Sequence, residues 1–146
     1  MSDKLTFTLH ELVQVLDMSA DSLLTAKYGV TGSQFVFIAT LADVEPTDVT
    51  TLAECLGVSK AAVSKRVPGL VEAGWVTTAH DPHHGRRVVL AVTERGRDLV
   101  DRAGRDLDAQ FTALFAHPAA EGLDPAVLND QLNSLISILR QNGPLS

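Results

Sequence analysis

The chain predicts a mainly α fold with one small β hairpin. Three observations predict it. Apolar residues recur at helical spacing through most of the 146 residues. Only between about residues 75 and 93 does the apolar period fall to two. Gly, Pro and short polar residues punctuate the boundaries between these stretches. The length suits one domain with a real core. A hydrophobic content of 45% against 21% charged residues favours folding over disorder.

The elements follow in order. Thr8-Leu-His-Glu11 has the spacing of a capping box, so a helix is expected from there to about Tyr28-Gly29. Leu9, Leu12, Val13, Leu16 and Leu23 would form its apolar side. Thr31-Gly-Ser33 reads as a loop, and Gln34 to about Ala42 as a very apolar helix in which Phe35, Ile38 and Leu41 are deeply buried. Glu45-Pro-Thr-Asp48 reads as a turn. Residues 50–74 read as two short helices around Gly57-Val58-Ser59. Gly57 can take the positive φ of a sharp interhelical turn, and Ala53 is small enough for the helices to cross closely. That arrangement fits a helix-turn-helix.

Beyond Gly74, Trp75 to His80 and Val88 to Thr93 read as two strands, joined by the polar turn Asp81-Pro-His-His-Gly-Arg-Arg87. The hairpin therefore carries a cationic tip. Thr93 caps a long helix to about Ala116, with Leu99, Ala103, Leu107, Phe111 and Leu114 on one face. His117-Pro118 stops it. Asp124 and Pro125 have the N-cap and first-position signature of a last helix, which carries Leu128, Leu132, Leu135, Ile136 and Leu139 to about Gln141. The terminal helices hold more apolar surface than a small core can cover, so they are expected to interleave with a second copy.

Charge is unevenly placed. The net charge is −6, yet residues 58–97 hold seven cations against three anions, which leaves −10 for the remainder. A basic module sits in an acidic body. There is no apolar run of membrane-spanning length, and no secretory signal is visible, so a cytoplasmic location and no membrane partner are expected. The single cysteine, Cys55, cannot form an intrachain disulfide.

The second of the two short helices in residues 50–74 carries the most chemistry. Val63, Val67 and Leu70 form its buried stripe, and Ala61, Ser64, Lys65 and Pro68 face the other way. Short side chains there let a helix backbone approach base edges. Lys65 suits guanine acceptors or phosphate, and Ser64 suits either. Lys60 and Arg66 flank this face at positions suited to phosphates, and Ser59 caps the helix with a hydroxyl and free N–H groups. Pro68 removes an N–H and collides with the carbonyl of Ser64, so a kink is expected there.

Four segments together resemble the MarR family of bacterial transcription regulators. They are Leu52-Ala-Glu-Cys-Leu-Gly-Val-Ser-Lys-Ala-Ala-Val-Ser-Lys-Arg-Val67, Leu70-Val-Glu-Ala-Gly-Trp-Val76, Asp81-Pro-His-His-Gly-Arg-Arg-Val88 and Leu90-Ala-Val-Thr-Glu-Arg-Gly96. Thr31-Gly-Ser-Gln34 is similar to the family's start of its second helix. The resemblance implies a winged helix-turn-helix and a homodimer built from terminal helices. Residues 30–100 would form the DNA-binding module, and residues 1–29 and 101–146 the helical dimerisation region. The partner is double-stranded DNA, read by the second motif helix in the major groove and by the wing in the minor groove. A small-molecule effector often binds between the two parts in this family. Arg86 and Arg87 match the family's paired wing arginines. Alternation along the strand sends one into the groove, taken as Arg86, and the other to an acid or phosphate. His84 stands where the family often has an acid.

The expected DNA-binding residues are thus Ser59, Lys60, Ala61, Ser64, Lys65, Arg66, Arg86 and Arg87. No catalytic residue, metal ligand or cofactor is expected. The serines and histidines lie in no nucleophile elbow or metal-binding helix pair, and no Gly-rich phosphate loop occurs. His80, His83 and His84 are read as solvated or phosphate-contacting rather than as metal ligands, and Cys55 as a packing or half-exposed thiol. The alternatives are a winged-helix module for protein contacts, or a thiol- or metal-responsive regulator of the same fold.

Overall fold

A computed structural model describes residues 3–142. Six helices and a small antiparallel sheet run in the order α1 (Leu5–Tyr28), α2 (Gly32–Val44), β1 (Thr47–Asp48), α3 (Val49–Leu56), α4 (Lys60–Glu72), β2 (Val76–Asp81), β3 (His84–Val92), α5 (Glu94–Thr112) and α6 (Pro125–Asn142). Two compact units divide at Arg105 and Asp106. α1 therefore falls in the unit of the helix-turn-helix, whereas the sequence suggested a grouping of residues 1–29 with the C-terminal helices. Among the described residues no helix is long and apolar enough to cross a membrane.

The first unit is built on α2, whose Phe37, Ile38 and Leu41 are fully buried. Leu52 and Ala53 of α3, Val63 and Leu70 of α4, Val76 and Leu90 of the sheet, and Leu99 and Ala103 of α5 complete its core. Phe35, expected in that core, is only half-buried. Gly57 ends α3 at φ 69°, a left-handed conformation that costs a residue with a Cβ about 1–2 kcal/mol. Its N–H donates to Glu54 O at 3.2 Å, and Val58 N–H donates to Ala53 O at 3.1 Å, which satisfies the last carbonyls of α3. α4 then starts at once and runs through Pro68 to Glu72 without ending there.

Several boundaries differ from the sequence expectation. α1 begins at Leu5. Thr8 lies inside it and donates its hydroxyl to Lys4 O at 3.2 Å instead of capping. The capping box belongs to α2, where Thr31 Oγ1 accepts from Gln34 N–H (3.1 Å) and Gln34 Oε1 accepts from Thr31 N–H (2.9 Å). The segment read as a turn at Glu45–Asp48 contains β1. It pairs Thr47 with Leu90 and Asp48 with Val89, which makes the sheet three-stranded in the order β1-β3-β2. The polar turn is only Pro82-His83, because β3 starts at His84. Between the pairs His80↔Val88 and Asp81↔His84, Gly85, Arg86 and Arg87 bulge out of register.

Strand β1 also anchors the wing. Asp48 caps α3 by accepting from Thr51 N–H at 2.8 Å, and its second oxygen pairs with Arg87 Nη2 at 2.9 Å. The Thr51 amide, then the Thr51 hydroxyl and Arg87, hold the Asp48 carboxyl below its ordinary value of 3.8.

At the other end of the wing, Thr93 caps α5 by accepting from Gly96 N–H at 3.0 Å. Its own hydroxyl donates to Gly74 O at 2.7 Å, with Trp75 O at 3.2 Å. A Cβ on Gly96 would meet Trp75 O at 2.4 Å, so only glycine lets α5 approach this closely.

In the second unit α5 gives way to 3₁₀ turns at Ala113–Ala116 and Pro118–Ala120, with Phe111 and Phe115 packed edge to face at 5.5 Å. His117 is extended between the two turns, and Asp124 Oδ1 accepts from Ala126 N–H at 2.9 Å to cap α6. No residue of α6 is buried. On α1, Leu12 and Val13 are exposed where the sequence suggested an inward side, and only Leu24 is buried.

Gly96→Ala is expected to cost about 1–3 kcal/mol by chemical denaturation, because the methyl meets a backbone carbonyl rather than a yielding side chain. For Asp48, the folded-state pKa lies below the unfolded one. Its stabilisation is complete above the unfolded value and is lost as pH falls through the folded value. Melting temperatures of wild type and Asp48→Asn, which keeps the cap, are expected to differ at pH 7 and to converge below about pH 3.8. Parallel curves would contradict the role given to this charge.

Candidate nucleic-acid interface

The exposed face of α4 is small and cationic. Ser59 Oγ accepts from Ala62 N–H at 3.1 Å and so starts the helix, while its neighbour Lys60 stands in solvent. Ala61, Ser64, Lys65, Pro68 and Gly69 are exposed; Val63 is buried and Val67 half-buried on the opposite side. This is the face that the helical period assigned to a DNA groove. Along it, Lys65 is the cation with no hydrogen bond or ion pair to another described residue, and the methyl and hydroxyl of Ala61 and Ser64 leave the backbone open to close approach.

Arg66 is placed differently from the expectation. It turns to α2, where Nη2 donates to Ser33 O and Ser33 Oγ, both at 2.9 Å. Its guanidinium lies 5.0 Å from the centroid of the buried Phe37 ring. A phosphate role for Arg66 therefore competes with contacts already made within the chain. No local sequence signal marks that tie, since the partners stand 33 residues apart.

The wing divides its arginines in the same way. Arg87 pairs with Asp48 at 2.9 Å and with Asp81 at 3.6 Å. Among the described residues Arg86 makes no ion pair or hydrogen bond, and it is exposed. The acid absent at His84 is thus supplied from β1 and from the start of the turn. Asp48 was legible only as a turn residue, although Asp followed by Val-Thr-Thr is also an N-cap pattern. His80, His83 and His84 are all exposed on the wing. The backbone N–H of His83 donates to Asp81 Oδ1 at 2.8 Å, which tightens the two-residue turn.

The wing base is held from α5. Arg97 pairs with Glu45, whose other oxygen accepts from Val92 N–H at 2.8 Å. Arg95 donates to Ala73 O and lies 4.0 Å over the Trp75 ring. These two arginines add positive charge to the module while their guanidinium groups bind the chain itself. Cys55 is exposed on α3 rather than packed. Among the described residues no group of three or more His, Cys, Asp or Glu side chains is placed to hold a metal ion.

The geometry has relatives. Residues 28–87, which span the helix-turn-helix and most of the wing, match the sequence model of the MarR family. A MarR-family transcriptional regulator of Rhodococcus sp. RHA1 has a similar structure: the TM-score is 0.73 at 26% identity, over 94% of this chain and 96% of that one. FabT of Streptococcus pneumoniae, solved in complex with DNA, shares the fold with a TM-score of 0.73 at 16% identity, over 94% and 96% of the two chains. An uncharacterised protein of Mycobacterium tuberculosis is 27% identical over 99% of this chain and its own full length. The comparisons thus give a MarR-family sequence match over residues 28–87 and, over nearly the whole chain, the fold of MarR-family winged helix-turn-helix regulators.

Proposed function

We propose that the chain is a cytoplasmic transcriptional repressor, without enzymatic activity, that binds a pseudo-palindromic operator as a homodimer. The observation that carries this reading is the exposed face of α4. It is convex, small in side chain and cationic, and it belongs to a protein of net charge −6. Bulk electrostatics would drive such a protein off DNA, so a local cationic face has to do the binding. Ser59, Lys60, Ala61, Ser64 and Lys65 make the groove-facing set, with Ser64 and Lys65 nearest base edges. Arg86, exposed on the wing and without an ion pair or hydrogen bond among the described residues, suits the narrow minor groove, where negative potential is enhanced. Arg87 acts from behind, by holding the wing to Asp48.

The homodimer reading rests on apolar surface. Leu5, Phe7 and Met18 of α1 and Val127, Ile138 and Leu139 of α6 are each about half exposed or more. Faces of this kind invite association, and a two-fold dimer would set two copies of α4 for the two halves of a palindrome. Release from DNA by a small effector completes the proposal on the family resemblance alone.

Fluorescence anisotropy against a duplex from upstream of its own gene and a scrambled control, across a salt series, tests the reading. Preferential binding with a steep salt slope is expected. No binding to either duplex at low salt would overturn it in favour of a module for protein contacts. Lys65→Ala is expected to weaken specific binding by ~1–3 kcal/mol, and Arg86→Ala to weaken it as well. Unchanged affinity in both variants would remove the proposed surface. Sedimentation at micromolar concentration is expected to show a dimer, and a monomer would contradict the role given to the terminal helices.

A further inference from the structure

We propose that Arg66 is a positioning residue, which fixes the recognition helix α4 against the first turn of α2 and does not neutralise a DNA phosphate. The proposal rests on the DNA-binding reading above and assigns one of its cations a different task. Both acceptors of Arg66 Nη2 belong to Ser33, one main-chain and one side-chain, each at 2.9 Å. The guanidinium also lies on Phe37, which is fully buried and has no freedom to follow a moving partner. A planar cation held by hydrogen bonds at one edge and by a ring on its face is fixed in direction as well as position.

The anchor is itself held. Ser33 sits in the first turn of α2, where Thr31 and Gln34 exchange two hydrogen bonds. Gly32 N–H, one residue earlier, donates to Asp21 Oδ1 of α1 at 2.7 Å. Arg66 therefore ties α4 to a helix start that is fixed from both directions. The tie falls directly beside Ser64 and Lys65 in the chain. The ends of α4 are set by the Gly57 turn and by the Trp75 N–H, which donates to Leu70 O at 3.0 Å. Arg66 supplies the lateral restraint between those ends, and so controls rotation of the Ser64–Lys65 face in a groove.

A lysine keeps the charge at this site but loses the fork and the flat face, so charge and positioning separate in one substitution. Wild type, Arg66→Lys and Arg66→Ala are compared on a duplex enriched from a random library by the wild-type protein, and on its scrambled form, at several salt concentrations. Circular dichroism verifies that each variant is folded at the working temperature. Both variants are expected to lose about tenfold in affinity for the enriched duplex. Affinity for the scrambled duplex and the slope of log K against log salt are expected to stay at wild-type values. Overturning the proposal would take an Arg66→Lys protein that binds like wild type, beside an Arg66→Ala protein that loses affinity for both duplexes and about 0.9 of salt slope per contact.

Hydrogen exchange of peptides covering residues 59–73, with no DNA present, reports on the tie separately. Faster exchange in both variants is expected, and unchanged protection in both contradicts the proposal. If no duplex is enriched, the DNA-binding reading fails, and the exchange result still decides whether Arg66 restrains α4.

Discussion

The structure depends on the junction where the wing leaves and rejoins the helices. Thr93 is its centre. Its N–H donates to Trp75 O at 3.0 Å, its hydroxyl reaches Gly74 O, and the same hydroxyl accepts the Gly96 N–H in the first turn of α5. One residue thereby closes the hairpin, receives the end of α4 and starts α5. Gly96 is required by the same contact, since Trp75 O occupies the space that a side chain would need. Arg95 covers Trp75 and reaches the last turn of α4 at Ala73. The angle at which the wing stands to the recognition helix is set here, not at the wing tip. A change far from the cationic face can therefore alter the angle between α4 and the wing.

Adjacent cations have opposite tasks in this fold, and backbone geometry separates them. Lys65 and Arg66 are neighbours on a helix, so their side chains leave about 100° apart. One stands in solvent and the other binds α2. Arg86 and Arg87 are neighbours in the bulged start of β3, and among the described residues Arg86 makes no ion pair or hydrogen bond while Arg87 spans to Asp48. Charge counting over residues 58–97 overstates the cationic surface for this reason. Of its seven cations, Arg66, Arg87, Arg95 and Arg97 bind other parts of the chain. What remains for a ligand is Lys60, Lys65 and Arg86, a sparse pattern that suits placement of contacts better than strong nonspecific attraction.

The sequence was most legible where one residue decides the conformation. Gly57, Thr93 and the Asp124-Pro125 pair each mark a boundary found where they stand, whereas α5 ends at Thr112, short of the stop expected at His117. It was least legible where pairing partners are distant. Strand β1 is two residues long and gains its identity only from Leu90 and Val89, about forty residues on. No window of sequence that short carries a strand period. The two Thr-x-x-Glu/Gln patterns show the same limit. Thr8 and Thr31 present nearly the same local signal, yet only Thr31 caps, because helix-forming residues already precede Thr8 and a free N-terminus does not occur there. The exposed face of α4 was readable from periodicity alone. The tasks of Arg66 and Arg87 were not, since each depends on an acceptor placed by another element.

α6 poses the remaining physical question, and it points beyond a single chain. It has eighteen residues, none of them buried, and Leu135, Ile136, Ile138 and Leu139 are all exposed. Helices in proteins draw most of their stability from a packed apolar face rather than from propensity. The cap at Asp124 contributes, but a cap is typically worth about 1 kcal/mol. α5 shows the contrast, because Gly96, Leu99 and Ala103 are buried along its first three turns. A second copy, as proposed, would supply the missing cover, and ordering of α6 and association would then be one equilibrium rather than two. The spacing of the two α4 helices would then be set by the same contacts that hold the terminal helices folded. Any molecule that altered that packing would change the fit to a palindrome without touching a residue of the DNA-facing surface.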